Sequence, residues 1–187
     1  MKKQDYYSLK DLKNLKFKKI GTNLEIKKSV KFFFSENIEI GNNVRIEDYS
    51  IITGRGGVKI GNYVQISSHS CLLGKFGIEL GNYVTLAPGV KIFSGSDDYY
   101  GHDIYTSFLK SKNFLEKNRG KIKIKDYVII GANSVVMPNL IINEGVAIGA
   151  LSFVNKSLKD WNIYYGTKIK KSKKRSKKFL KQIKKIL

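Results

Sequence analysis

Two histidines, His69 and His102, are the only side chains in the 187 residues that ordinarily change charge near neutral pH. Any imidazole-based proton transfer therefore rests on one of them. His102 lies in the segment Ser94-Gly95-Ser96-Asp97-Asp98-Tyr99-Tyr100-Gly101-His102-Asp103, close to several carboxylates. The pair Asp97-Asp98 is suited either to orienting an imidazole or simply to forming a turn. His69 stands three residues after Ile66, beside no acid in sequence. Cys71 is the single cysteine, so no intrachain disulfide forms and a reducing compartment suits the chain. Phosphate-cradling glycine loops of the Walker or Rossmann type are absent.

A repeat positions these residues. Ile20-Gly21, Ile40-Gly41, Ile60-Gly61 and Leu80-Gly81 open successive units of 20 residues. Asn42, Asn62 and Asn82 follow three of those glycines, and Ile26, Ile46, Ile66 and Leu86 come six residues after each opening. Aliphatic residues six apart make one short strand and one turn per hexapeptide, and three hexapeptides close a triangular coil. Two extra residues per unit, beside Gly56-Gly57 and Phe76-Gly77, bulge one turn of each coil. Stacked coils bury columns of Ile, Val and Leu that a single coil leaves exposed. The repeat stops after Ile92-Phe93 and resumes at Ile122, now without the bulge: Ile124, Ile130, Val136, Ile142, Ile148 and Val154 are spaced by six. The intervening loop, residues 94–121, is an excursion of a length that is usually functional. His69 falls at a corner and points outward.

Three segments are expected: an N-terminal capping helix in residues 1–19, the coil in 20–158, and a closing segment with a basic C-terminal helix in 159–187. Ser8 and Asp11 form a capping-box pattern, and Leu9, Leu12 and Leu15 share a face of a helix over residues 5–18. The formal net charge is +20, and residues 168–187 alone carry eleven Lys or Arg and no acid. Such a tail suits an anionic membrane surface or nucleic acid, or is a solvated helix. The chain shows no signal peptide and no apolar run long enough to span a bilayer, so a cytoplasmic location is expected.

The hexapeptides, the long mid-coil loop and the closing pattern Trp161-x-Ile163-Tyr164-x-Gly166 resemble the hexapeptide-repeat acyltransferases, nearest the galactoside and maltose O-acetyltransferases and the enzymes that acetylate sugars of surface polysaccharides. The resemblance runs from Ile20 to about Lys170. It implies an all-β fold, a left-handed parallel β-helix, and a homotrimer with active sites between subunits. It further implies acetyl-CoA as donor, a sugar hydroxyl or amino group as acceptor, and no metal, since zinc enzymes of this fold use three histidines. Gly131-Ala132 and Gly149-Ala150 with Ser152 match positions whose backbone touches the pantetheine arm. Asn155, Lys156 and Lys170 match polar and basic positions near the nucleotide end of CoA. The same glycine–alanine pairs are also what tight corners require.

The chain departs from the family where the loop histidine of the galactoside-type enzymes stands, because Asp97 is found there. His69 matches a position that holds an acceptor-contacting asparagine in those enzymes. The expected arrangement is an exchange: His69 is the general base, Asp97 orients it across the subunit interface, and Asp98 and Tyr99 contact the acceptor. His102 is the rival base. An amine acceptor arriving neutral needs only positioning. Peripheral contact of the tail with the inner membrane face is a further expectation, and nucleic acid is not an expected partner. A second class of function also fits: an inactive β-helix trimer that binds membrane or nucleic acid through its basic tail.

Overall fold

The computed structural model describes residues 5–97 and 119–186. Three parallel sheets form the sides of a prism. Face one carries β1 (Lys19–Ile20), β4 (Ile38–Ile40), β7 (Val58–Ile60), β10 (Ile78–Leu80), β13 (Ile122–Ile124) and β16 (Ile141–Ile142). Face two carries β2 (Leu24–Ile26), β5 (Val44–Ile46), β8 (Gln65–Ile66), β11 (Thr85–Leu86), β14 (Ile129–Ile130), β17 (Ala147–Ile148), β19 (Asn162–Tyr165) and β20 (Lys170–Lys174). Face three carries β3 (Lys31–Phe33), β6 (Ile51–Thr53), β9 (Cys71–Leu73), β12 (Lys91–Phe93), β15 (Val135–Val136) and β18 (Phe153–Val154).

The strand register follows the period in the sequence. Ile46 pairs with Ile66, Ile66 with Leu86, Leu86 with Ile130 and Ile130 with Ile148. All five are buried, and burying each such side chain contributes about 1.5–3 kcal/mol. The two-residue bulge sits between faces three and one, where Gly57 and Gly77 hold φ of 89° and 98°, a conformation that side chains with a Cβ resist. In the later coils Asn139, at φ 58°, turns the same corner with two residues fewer.

The outer surfaces of the faces differ. On face one Lys19, Glu39, Lys59, Glu79 and Lys123 lie opposite one another in alternating sign. Lys18–Glu39 (2.8 Å) and Lys121–Glu79 ion pairs flank this row. Opposite charges directly across strands are favourable, so both glutamates of this face are paired with lysines. Face three presents Ile51, Cys71, Leu73, Phe93, Val135 and Phe153, interrupted by Lys31 and Lys91.

At the corner between faces one and two, the backbone N–H groups of Thr22, Asn42, Asn62 and Asn82 each donate to a side-chain oxygen one coil on, at 2.8–2.9 Å. The last acceptor is Asp126, which takes over the column when the asparagines end. Beside it Tyr63, Tyr83 and Tyr127 stack with ring centroids 4.9 and 5.0 Å apart. Each is left-handed at φ 56–61°, a strain of roughly 1–2 kcal/mol that stacking of about 0.5–1.5 kcal/mol per pair offsets in part. The tyrosines that recur in the sequence are thus stacked corner aromatics.

Both ends carry a helix, each short. The N-terminal helix, α1, covers only Leu9–Asn14, capped by the Ser8–Asp11 box. Tyr7 instead donates its N–H to Ile26 O (2.8 Å), extending the first coil, and Lys16 at φ 52° turns the chain out of the helix. Leu12 is buried, Leu15 is half-buried and Leu9 is exposed. In the tail, Lys170–Lys174 is a strand, antiparallel to β19, and only Phe179–Ile186 is helical (α2). The open edge of β19 supplies backbone partners, which outweigh the weak helix preference of a lysine run. Among the described residues no helix is long and apolar enough to cross a membrane.

Candidate active site

The corner between faces two and three gathers one group of expected site residues. His69 donates its backbone N–H to Asp48 O, Gly89 to Ser68 O, Asn133 to Pro88 O and Leu151 to Ala132 O, at 2.8–2.9 Å. This ladder places His69, Gly131-Ala132 and Gly149-Ala150 along one edge of the prism. The corner requires left-handed backbone at its third residue: φ is 60° at Tyr49, 59° at His69, 55° at Asn133 and 56° at Leu151. Histidine and asparagine tolerate that conformation better than most residues. His69 is exposed, and its ring stacks on Tyr49 one coil below, with centroids 5.2 Å apart and planes 20° from parallel.

Ser152 lies at the same corner but faces inward. It is buried, its hydroxyl donates to Gly149 O (2.7 Å), and it accepts from Gly166 N–H (3.1 Å). Its hydroxyl therefore braces the last coil. Lys170 reaches the top of this edge, because it pairs with Tyr165 while Gly149 N–H donates to the neighbouring Tyr164 O. Asn155 and Lys156 are exposed after β18, at the far edge of face three, one sheet width from the glycine–alanine pairs.

The next corner, between faces three and one, holds a cleft of about 490 Å³. Its floor is apolar: Phe93, Val135 and Phe153 from face three, with Met137 at the turn. Its rim is formed where the long loop leaves and rejoins the coil. Gly120 N–H donates to Ser94 O (3.0 Å), and Gly95 and Arg119 form a bridge, so the two ends are pinned together. Phe76 stands at this rim with Arg119 Cζ 5.2 Å and Lys75 Nζ 5.5 Å from its ring centroid. The buried Ser94 fixes the segment by accepting from Phe76 N–H and donating to Leu73 O, both at 2.9 Å. Asp97 closes the rim and is exposed. An aromatic and apolar wall flanked by two cations and a carboxylate suits a phosphorylated organic ligand whose reacting end carries a hydrogen-bond donor.

Asp97 and His69 are not brought together within one protomer. His69 precedes β9, and Asp97 follows the neighbouring β12, so face three separates them. A three-residue strand alone spans roughly 10 Å at about 3.3 Å per residue. The other expected residues of the loop, Asp98, Tyr99 and His102, lie outside the described residues.

Phe76, Phe93, Arg119, Val135, Met137 and Phe153 were not singled out from the sequence. A signal was present for four of them. Phe93, Val135, Met137 and Phe153 flank the inward Ile92, Val136 and Val154, so they are apolar residues at outward positions. Tyr49 was also readable, since it precedes His69 by one period of 20.

No protein-family model matches the chain. It is 35% identical over 170 residues to the dTDP-4-amino-4,6-dideoxy-D-glucose acyltransferase of Escherichia coli, covering 90% of this chain and 88% of that one. Among solved structures, a serine-to-alanine mutant of AntD, an N-acyltransferase from Bacillus cereus, in complex with dTDP-4-amino-4,6-dideoxyglucose and coenzyme A, superposes with a TM-score of 0.92. That match has 36% identity and covers 97% of both chains. AntD has also been solved with dTDP and 3-hydroxybutyryl-CoA, at 35% identity, 97% coverage of this chain and 96% of that one, and a TM-score of 0.92. A maltose O-acetyltransferase from Clostridium difficile 630, 22% identical with a TM-score of 0.59 over 90% of this chain and 76% of that one, shares the fold. Near full-length identity above one third, on a prism with the same course, makes this chain a member of the hexapeptide-repeat acyltransferases.

Proposed function

We propose that this protein is an N-acyltransferase that moves a short acyl group from a CoA thioester to the amino group of a dTDP-linked 4-amino-4,6-dideoxy sugar. The observation that carries this reading is the 36% identity over 97% of the chain with an enzyme crystallised with that amino sugar nucleotide and coenzyme A. The cleft beside Asp97 has the chemistry the acceptor requires: cations for a diphosphate and a carboxylate for an amine. Acetyl-CoA is the donor expected of the wider family. A 3-hydroxyacyl-CoA is the alternative, favoured by the AntD complex. The acylated sugar belongs to surface-polysaccharide assembly.

In the proposed reaction the neutral amine attacks the thioester carbonyl. The C–N bond forms, the C–S bond breaks, and the sulfur leaves as a thiolate that is then protonated. The nitrogen loses one proton, which His69 of one protomer accepts. Asp97 of the neighbouring protomer orients the imidazole and the amine. This requires a homotrimer whose copies meet over the apolar outer surface of face three, setting the His69 edge of one chain beside the cleft of the next. Gly131-Ala132, Gly149-Ala150 and Lys170 line the CoA side. Asn155 and Lys156 of the neighbouring protomer serve the nucleotide end of the same groove.

A thiol-release assay tests the reading. Purified protein is given acetyl-CoA or 3-hydroxybutyryl-CoA with a dTDP-4-amino sugar, a UDP-amino sugar or maltose. Thiol release that depends on the dTDP-4-amino sugar is the expected result. Turnover with maltose alone, or no release with any pair, would overturn it.

A further inference from the structure

We infer that the C-terminal segment is a preorganised platform for an anionic phospholipid surface. It is held in place by an anchor the catalytic reading does not use. The Arg175 guanidinium donates through one nitrogen to Tyr127 O (2.6 Å), Gly145 O (3.2 Å) and Val146 O (3.3 Å). Burial pushes its pKa down from the ordinary arginine value. Its backbone N–H donates to Trp161 O (2.9 Å). Phe179, the first residue of α2, packs against Tyr127 and Trp161 with centroids 6.1 Å apart in each case. The tail is thus fastened to the end of the tyrosine column and does not trail freely.

The fastening leaves cations on the outside. Lys171, Lys173 and Lys174 of β20 are exposed, as are Lys178, Lys181 and Lys177, whose Nζ lies 4.4 Å from the Trp161 ring centroid. No acid lies in residues 168–187 to neutralise them. Edge lysines that only block strand pairing account for β20 but not for the cations beyond it. In α2, Leu180 and Ile183 are half-buried and stand on one helix face beside those lysines, the pattern of a helix that lies in a membrane interface. The chemistry favours a bilayer over nucleic acid. The only arginine of the tail is spent on backbone carbonyls, and the exposed cations are all lysines, which act as point charges without the planar fork that reads phosphates and bases. Leu180 and Ile183 have a use in a lipid interface and none along a phosphate backbone.

Co-sedimentation of the full-length protein with vesicles tests this. Vesicles of phosphatidylcholine mixed with phosphatidylglycerol are expected to carry the protein down at low salt, and phosphatidylcholine alone is not. The binding should fall as salt shortens the screening length from about 10 Å at 0.1 M to about 3 Å at 1 M. The triple variant Lys173→Glu, Lys178→Glu, Lys181→Glu should lose more than about tenfold in vesicle affinity. Its turnover in solution should be unchanged, which also shows that it is folded. Equal binding by this variant and the unmodified protein would overturn the inference. So would no sedimentation with phosphatidylglycerol vesicles, or salt-dependent binding to duplex DNA without vesicle binding.

Discussion

The imidazole of His69 lies on the ring of Tyr49, one coil below, with centroids 5.2 Å apart. The two residues occupy the same left-handed corner position, so the stack is a consequence of the repeat. It limits the imidazole to one plane at an exposed edge. His69→Asn is expected to lower kcat by about two orders of magnitude with CoA affinity nearly unchanged. Tyr49→Ala, which keeps the base but frees its ring, should lower kcat by less than about tenfold. Steady-state kinetics with a direct CoA-binding measurement separates these outcomes, and an unchanged rate for His69→Asn would remove it from the mechanism.

The width of face three separates His69 from Asp97 within one chain, so the pairing we propose joins two subunits. Protomers carrying His69→Asn and protomers carrying Asp97→Ala should each be inactive alone. When co-refolded in equal amounts they should regain about a quarter of wild-type activity, because in a closed ring that fraction of interfaces unites two intact partners. No recovery, in a mixture shown to exchange subunits, would mean that both residues serve from one chain or that one is dispensable.

Gly95 packs against the face of Phe76, where an added Cβ would lie 2.7 Å from the ring. Gly95→Val should push Phe76 from the rim and raise KM for the nucleotide sugar by tenfold or so, since displacements of about 1 Å at a site have large effects. Affinity for CoA, measured in the absence of sugar, should stay as it is. A parallel loss of both affinities would assign Gly95 to general folding.

Arg175→Met leaves the carbonyls of Tyr127 and Gly145 without the guanidinium, while Val146 O keeps the N–H of Ile129. An unsatisfied buried acceptor costs about 1–3 kcal/mol, so a lowered melting temperature is expected. Amide exchange of Lys170–Lys174 should quicken more than that of face one. Uniform exchange through the whole chain would show that the arginine supports the coil and not the tail.

Asp11 supplies the pH dependence at the N-terminus. Its carboxylate accepts from the Ser8 backbone N–H (2.9 Å) and the Ser8 hydroxyl (2.8 Å), which together hold its pKa below the usual aspartate value. A depressed carboxyl stabilises the folded form above its unfolded pKa, and that contribution is lost as pH falls through the folded value. The amide of Leu12, bonded to Ser8 O, should therefore lose exchange protection only at the acid end. Asp11→Asn should remove that acid-dependent step; its persistence would place the titration elsewhere.

The prism, its inward columns and the outward corner position of His69 are legible in the residue pattern alone. Each is a matter of spacing along the chain: residues 20 apart must stack once the coils do, as Ile46, Ile66 and Leu86 show. The folded arrangement sets the cleft, because its rim depends on Ser94 meeting Gly120 and Phe76 meeting Arg119, contacts between segments with no common period. It also decided that Lys170–Lys174 is a strand and that α1 is short. Backbone groups left open on β19 and on the first coil recruited those residues, and a neighbour's unsatisfied hydrogen bonds leave no mark on the local pattern.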